Sequence, residues 1–189
     1  MSDRGRPYGR GTGHLIHRPP KSCPGPDDAS PDHCWLMRRG LDGPVAKAQW
    51  PASIIVAPFS LRQATTVHGL LSSGYQDGSG SVAQYAEWLS AFEHDPEFNP
   101  SLCFLAMHEG IAVGVVACWT SAFIKDLVVH ADYRHRGIGT ALLNHLFAHL
   151  RQQGEGCVDL KVVENNLGAR RLYEKSGMSY VSRLPVVPV

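Results

Sequence analysis

The sequence predicts an α/β domain in which helices cover a mixed sheet. Three observations carry that expectation. Apolar residues recur with strand period in some segments and with helix period in others. The segments follow the order β-α-α-β-β-β-α-β-α-β. One long helix lies between two strands that must run parallel through a right-handed crossover. A chain of 189 residues that is 43% hydrophobic holds enough apolar surface for one real core.

Residues 1–50 stand apart. "RGRPYGRGTGHLIHRPPKSCPGPDDASPDHC" is rich in Gly, Pro and Arg and shows neither period. A disordered or poorly ordered extension is expected there, with the folded domain at 51–189 and Met37 as an alternative start. Eight Lys or Arg against five Asp or Glu give this segment about +3, a mild charge that suits a solvated tail.

The elements then follow in order. Residues 53–57 of "SIIVAPFS" read as a strand, and Pro58 with Ser60 turn the chain into a helix over about 60–73. Leu61, Ala64, Val67, His68 and Leu71 share its inner face. A second helix near 81–94 carries Val82, Tyr85, Leu89 and Phe92. Three antiparallel strands follow at about 102–108, 111–119 and 122–130, turned by Glu109-Gly110 and Thr120-Ser121. A helix over 137–152 has Ile138, Leu142, Leu143, Leu146, Phe147 and Leu150 on one broad face and stops at Gly154. "CVDLKVV" is the next strand, "NNLGARRLYEKSG" a short helix entered at Asn and closed at Gly177, and "MSYVSRL" the last strand.

Composition excludes several functions. A net charge of +1 offers no blanket attraction to nucleic acid or an anionic membrane, so neither is expected as a partner. No stretch reaches the roughly 18 to 20 apolar residues of a membrane span and no signal-like h-region opens the chain, so a cytoplasmic protein is expected. Five scattered Cys read as reduced thiols. No metal is expected: Cys23 and Cys34 with His17 and His33 match no compact zinc spacing. His145 and His149 form HxxxH but carry Leu146 where HExxH needs Glu.

"RHRGIGT", residues 134–140, lies where a strand gives way to a helix. Glycines there let backbone N–H groups approach an anion, and the start of a helix favours negative charge. A P-loop would need a Lys that is missing. A dinucleotide fold would need a third glycine where Leu142 stands, although Asp159 sits where a ribose-binding acid is sought.

From "DLVVHADYRHRGIGTALL" through "NNLGARRLYEKSGM" the chain resembles the GNAT superfamily of acyl-CoA-dependent N-acetyltransferases. Arg134, Gly137 and Gly139 match the family's phosphate loop. Asn166, Ala169, Leu172, Tyr173 and Gly177 match its following helix, with Met178 in place of Phe. The resemblance is close over about 123–180. It implies the GNAT acyltransferase fold, a mixed, mostly antiparallel sheet of six to seven strands flanked by about four helices.

It also implies a function: transfer of an acetyl group from acetyl-CoA, the co-substrate, to a primary amine by direct attack in a ternary complex. The acceptor would be a small-molecule or peptide amine. Arg134, His135, Arg136, Gly137, Ile138, Gly139 and Thr140 would cradle the CoA pyrophosphate. Leu127, Val128 and Val129 would run along the acetyl and pantetheine groups, with backbone bonds from Leu127 and Val129. Asn166 is either a CoA contact or a plain helix N-cap. Tyr173 is either the proton donor to the departing thiolate or a packing residue. Asp126 is either the general base or a paired strand residue, and Lys125 stands where polyamine-acetylating relatives often carry Glu. Tyr75, Asp77, Tyr85, Glu87 and Trp88 would line the acceptor side.

The family generally ends in a seventh strand. Pro185 and Pro188 leave little room for one, so an open acceptor pocket, or a homodimer that completes it, is expected. Two alternatives stand beside this reading: a non-catalytic acyl-CoA-binding or regulatory module, and a dinucleotide-binding oxidoreductase.

Overall fold

The computed structural model describes residues 33–76 and 80–186. Seven strands form one sheet in the order β2-β3-β4-β5-β6-β1-β7. They are β1 (His33–Gly40), β2 (Ile54–Pro58), β3 (Cys103–His108), β4 (Ile111–Cys118), β5 (Phe123–Val129), β6 (Cys157–Val163) and β7 (Ser179–Pro185). Four α-helices accompany them: α1 (Ala64–Gly74), α2 (Tyr85–His94), α3 (Ile138–Gln152) and α4 (Leu167–Lys175). Every neighbouring pair of strands is antiparallel except β5 and β6, which run parallel across the α3 crossover.

Strand alternation divides the apolar residues into two cores. Along β4, Val116 and Cys118 face α3, while Val115 and Ala117 face α1 and α2. On the α3 side Leu142, Leu143, Leu146 and Phe147 are fully buried against the sheet. On the other side Trp88 stacks on Phe92 at 5.1 Å, and Phe92 meets Phe98 and Trp119. Cys103 and Cys118 are free thiols that burial pushes up to about 12.

Residues 33–50 correct the expectation of a poorly ordered segment, while residues 1–32 lie outside the described residues. "HCWLMRRG" forms β1, which sits between β6 and β7 and pairs with both. Only Cys34 and Met37 of its eight residues are buried, and Arg38, Arg39 and Gly40 close it, so the strand shows no clean alternation to set it apart from the Gly- and Pro-rich stretch before it. The seventh strand thus comes from the N-terminal side of this chain, and the ground for expecting a partner subunit to complete the sheet falls away.

Two arginines tie β1 in. Arg38 donates a bidentate pair of hydrogen bonds to Asp159 on β6, at 2.7 Å each. Arg39 donates to the carbonyl of Ser176 at the end of α4 and covers the Phe147 ring at 4.9 Å. After β1 the chain crosses to β2 as a strap, residues 41–53. The strap is held by buried Leu41, whose N–H donates to Gly156, and by Trp50 against His145. Among the described residues no helix is long and apolar enough to cross a membrane.

Candidate active site

The site begins with a missing ladder. β5 and β6 pair only at Phe123↔Asp159 and Ile124↔Leu160. The cause lies on the other edge of β5, where Ala117 pairs with Asp126 and Cys118 with Ile124. Lys125 is therefore an extra residue, and such a bulge bends a strand and increases its twist. Beyond it the two strands diverge around a cleft of about 810 Å3.

Backbone alternation decides what β5 shows to that cleft. The His130 N–H donates to Val113 on β4, so Val128 also turns its backbone groups toward β4. The intervening residues Leu127 and Val129 turn theirs to the cleft. The Val129 carbonyl accepts from Arg134 Nε at 3.1 Å. Both N–H groups and the Leu127 carbonyl remain directed into the open space.

The start of α3 leaves backbone donors free at the other end of the cleft. Gly137 is its N-cap with φ of +84°, and no side chain caps the helix. The first N–H bonded within the helix is that of Ala141, to Gly137 O at 3.0 Å. The N–H groups of Gly137, Ile138, Gly139 and Thr140 therefore have no helical acceptor and sit at the positive end of the dipole. The two glycines have different physical reasons. Gly137 takes a left-handed backbone, whereas a Cβ on Gly139 would come 3.1 Å from Leu172 of α4.

The structure brings most of the expected residues together. Leu127, Val128, Val129, Arg134, His135, Gly137, Ile138, Gly139, Thr140, Asn166 and Tyr173 all line the cleft. Arg136 does not. Its guanidinium lies 5.0 Å from the centre of the Tyr133 ring. Asp126 is not in the lining either, although its neighbours Lys125 and Leu127 are. Tyr75 lines the cleft and donates from its hydroxyl to Asp126 Oδ1 at 2.6 Å. Burial pushes the Asp126 carboxyl above the usual carboxylate range, against the opposing effects of the Tyr75 hydrogen bond and the Lys125 charge.

Tyr173 of α4 is 8% exposed. Burial, and then the charge of Asp126, raise its phenol above the ordinary value, so it stays protonated at neutral pH. Asn166 caps α4 by accepting the Ala169 N–H at 3.0 Å. That fulfils the capping role while its side chain also lines the cleft.

Of the expected acceptor-side residues, Tyr75 alone among those described is in the lining. Trp88 is core, Tyr85 accepts a hydrogen bond from Thr65 Oγ1, and Glu87 is exposed. Asp77 lies outside the described residues. His145 and His149 pack against Phe104, and burial lowers the His145 pKa. Sequence reasoning missed Arg171, Lys175 and Lys161, cationic residues on the cleft wall. Arg171 and Lys175 were within reach, because a spacing of four puts them on one helix face.

A bulged strand opening onto an uncapped helix start suits a ligand with an anionic end and an amide-bearing arm, and the proteins similar to this chain are acetyltransferases. The profile of the acetyltransferase (GNAT) family matches residues 67–178. The chain belongs to that family. It is 35% identical over 92 residues to an N-alpha-acetyltransferase MAK3 of Arabidopsis thaliana, covering 45% of this chain and 48% of that protein. It is 30% identical over 158 residues to a mycothiol acetyltransferase of Thermobispora bispora, covering 77% and 53%. A crystal structure of a GCN5-related N-acetyltransferase from Sphaerobacter thermophilus superposes with a TM-score of 0.71 at 27% identity, covering 82% of this chain and 50% of that one. The chain thus spans about half the length of the curated relatives it matches.

Proposed function

We propose that this chain transfers an acetyl group from acetyl-CoA to a primary amine of a small molecule or peptide, by direct attack in a ternary complex. The observation that carries the reading is the continuity of one cleft from the uncapped start of α3, along the free edge of β5, to Tyr173 and Tyr75. The residues present suit the co-substrate. Four N–H groups at a helix start, with Arg134 and Arg171 beside them, suit a pyrophosphate. The strand edge at Leu127 and Val129 suits an amide-bearing arm.

Bound there, acetyl-CoA supplies the thioester carbonyl that the amine attacks. The N–H groups of β5 are the donors nearest the bulge and orient the acyl end. Tyr173 holds the proton that the departing thiolate takes. Asp126 is the proton acceptor, and its raised pKa makes it a stronger base than an exposed carboxylate. Tyr75, which lines the cleft, links it by its hydroxyl to the Asp126 carboxylate behind the wall, so the proton reaches Asp126 through Tyr75. The dinucleotide alternative loses its acid, because Asp159 is held by Arg38 on β1.

The test is thiol release from acetyl-CoA across polyamines, amino acids, aminoglycosides and peptide N-termini, with acetyl-CoA affinity measured in parallel. Release that depends on an amine is the expected result. Binding without release on any amine would leave a binding module in place of an enzyme. Tyr173→Phe should lower turnover by between about 100-fold and 10,000-fold while acetyl-CoA affinity changes little. A change confined to affinity would remove Tyr173 as the acid.

A further inference from the structure

The cleft passes through the sheet, and its two sides differ. Tyr173 and Leu172 of its lining pack in the core against α3, whereas Tyr75 and Val128 pack in the core under α1 and α2. The uncapped start of α3 and Tyr173 thus serve one face, and Tyr75 with Asp126 the other. A co-substrate held at the α3 start leaves the α1 face to the acceptor.

Two lysines stand on that face. β5 and β6 part after Ile124↔Leu160, and the next residues of the two strands are Lys125 and Lys161. The bulge lets consecutive side chains of β5 share a face: Lys125 Nζ lies 5.7 Å from the centre of the Trp119 ring, and Asp126 meets Tyr75. On β6, Val158, Leu160 and Val162 are buried toward α3, so alternation sends Lys161 the other way. Both lysines are exposed and line the cleft, and among the described residues neither makes a salt bridge. Asp159, on the same face two residues before Lys161, is held by Arg38. Among the described residues no Asp or Glu lines the cleft. Two like charges at one fork repel each other, and a bound anion relieves the repulsion.

We infer that the acceptor carries a carboxylate close to the amine it presents, and that Lys125 and Lys161 bind that carboxylate. The inference rests on the reading of this chain as an acetyltransferase of amines. Lys125 directly precedes Asp126, so a carboxylate held at the fork leaves the acceptor's amine beside the Tyr75 hydroxyl. The same pair of charges repels a polyamine. The carboxylate belongs either to a free amino acid or to an acidic side chain near a peptide N-terminus, and the two sources are separable.

Thiol release from acetyl-CoA by the full chain tests this with matched acceptors: γ-aminobutyrate against its amide, and Ala-Asp-Ala against Ala-Asn-Ala. In at least one pair the acid should have a kcat/KM at least about tenfold above its neutral partner, the worth of one charge-assisted hydrogen bond. A preference in the first pair alone assigns the carboxylate to a free acid, and in the second alone to a peptide. Lys161→Gln, at an exposed position, should bring the ratio close to one. The Lys161 charge is not among those that act on Asp126, so a changed base does not account for that loss. Equal or faster release with the neutral partners in the wild type would overturn the carboxylate while leaving amine acetylation intact. A preference that survives both Lys161→Gln and Lys125→Gln would overturn the lysine pair as its source. Release with no amine at all would overturn the acetyltransferase reading and this inference with it.

Discussion

The two edges of β6 are built in opposite ways. Toward β1 it pairs at seven positions, from Cys34↔Val163 to Gly40↔Cys157, with Met37 fully buried and Arg38 clamped on Asp159. Toward β5 it pairs at two and then departs. An unpaired strand edge is a liability, because its N–H and C=O groups need partners. Here the open edge faces a cleft whose ligand can supply them, while the closed edge holds β6 in place. The sheet can be split in its middle because α3 packs across the split and β1 zips the far side.

The closed edge should give the largest effect. Met37→Ala removes a fully buried side chain from the centre of β1, and should lower unfolding free energy by about 2–5 kcal/mol. Urea denaturation followed by circular dichroism measures it. A loss below about 0.5 kcal/mol, the range of ordinary surface substitutions, would mean that β1 is not part of the folded sheet. A chain begun at Met37 should be destabilised as well, since it lacks the β1 residues His33, Cys34, Trp35 and Leu36 that pair with β7.

The open edge should respond in binding instead. A Cβ at Gly137 would meet nothing within 4 Å, so Gly137→Asp leaves packing alone and places a carboxylate among the free N–H groups. Acetyl-CoA affinity should fall by about 100-fold or more, through like-charge repulsion and competition for those donors. The left-handed backbone should cost only about 1–2 kcal/mol of stability. Titration calorimetry beside a melting curve separates the two. Retained affinity in a folded variant would end the assignment of the α3 start to the co-substrate.

What the sequence makes legible follows the range of the forces involved. α3 was expected at 137–152 and spans Ile138–Gln152, and "CVDLKVV" is β6 residue for residue, because apolar period and helix stops act locally. The second helix starts at Tyr85, later than the expected 81. β1 escaped notice because its pairing partners lie more than a hundred residues away, as the separation of Arg38 and Asp159 shows. The glycine turn before α3 was visible as a motif. The bulge at Lys125 and the Tyr75–Asp126 hydrogen bond were not, since register and a contact across 51 residues are tertiary outcomes.

The smallest effect on the two-edge contrast is expected at Asp126, beside the bulge, where stability and function should part. Burial raises its folded pKa above the ordinary 3.8, so the folded chain binds the proton more tightly than the unfolded chain does. The stabilisation from that proton is fully present below 3.8 and is lost as the pH rises through the folded value. Above it, the native state carries a half-buried carboxylate that Tyr75 and Lys125 only partly compensate. Asp126→Asn keeps the shape and removes the charge. It should raise the melting temperature at pH 8, by a few degrees for about 1 kcal/mol, and leave it nearly unchanged at pH 3.5. Turnover at pH 8 should fall at the same time, because the variant cannot accept the amine's proton. A variant equally stable at both pH values but still active would show that Asp126 is neither desolvated nor the base. A gain in stability paired with a loss of turnover is the pattern of a carboxylate kept in a costly place for its chemistry.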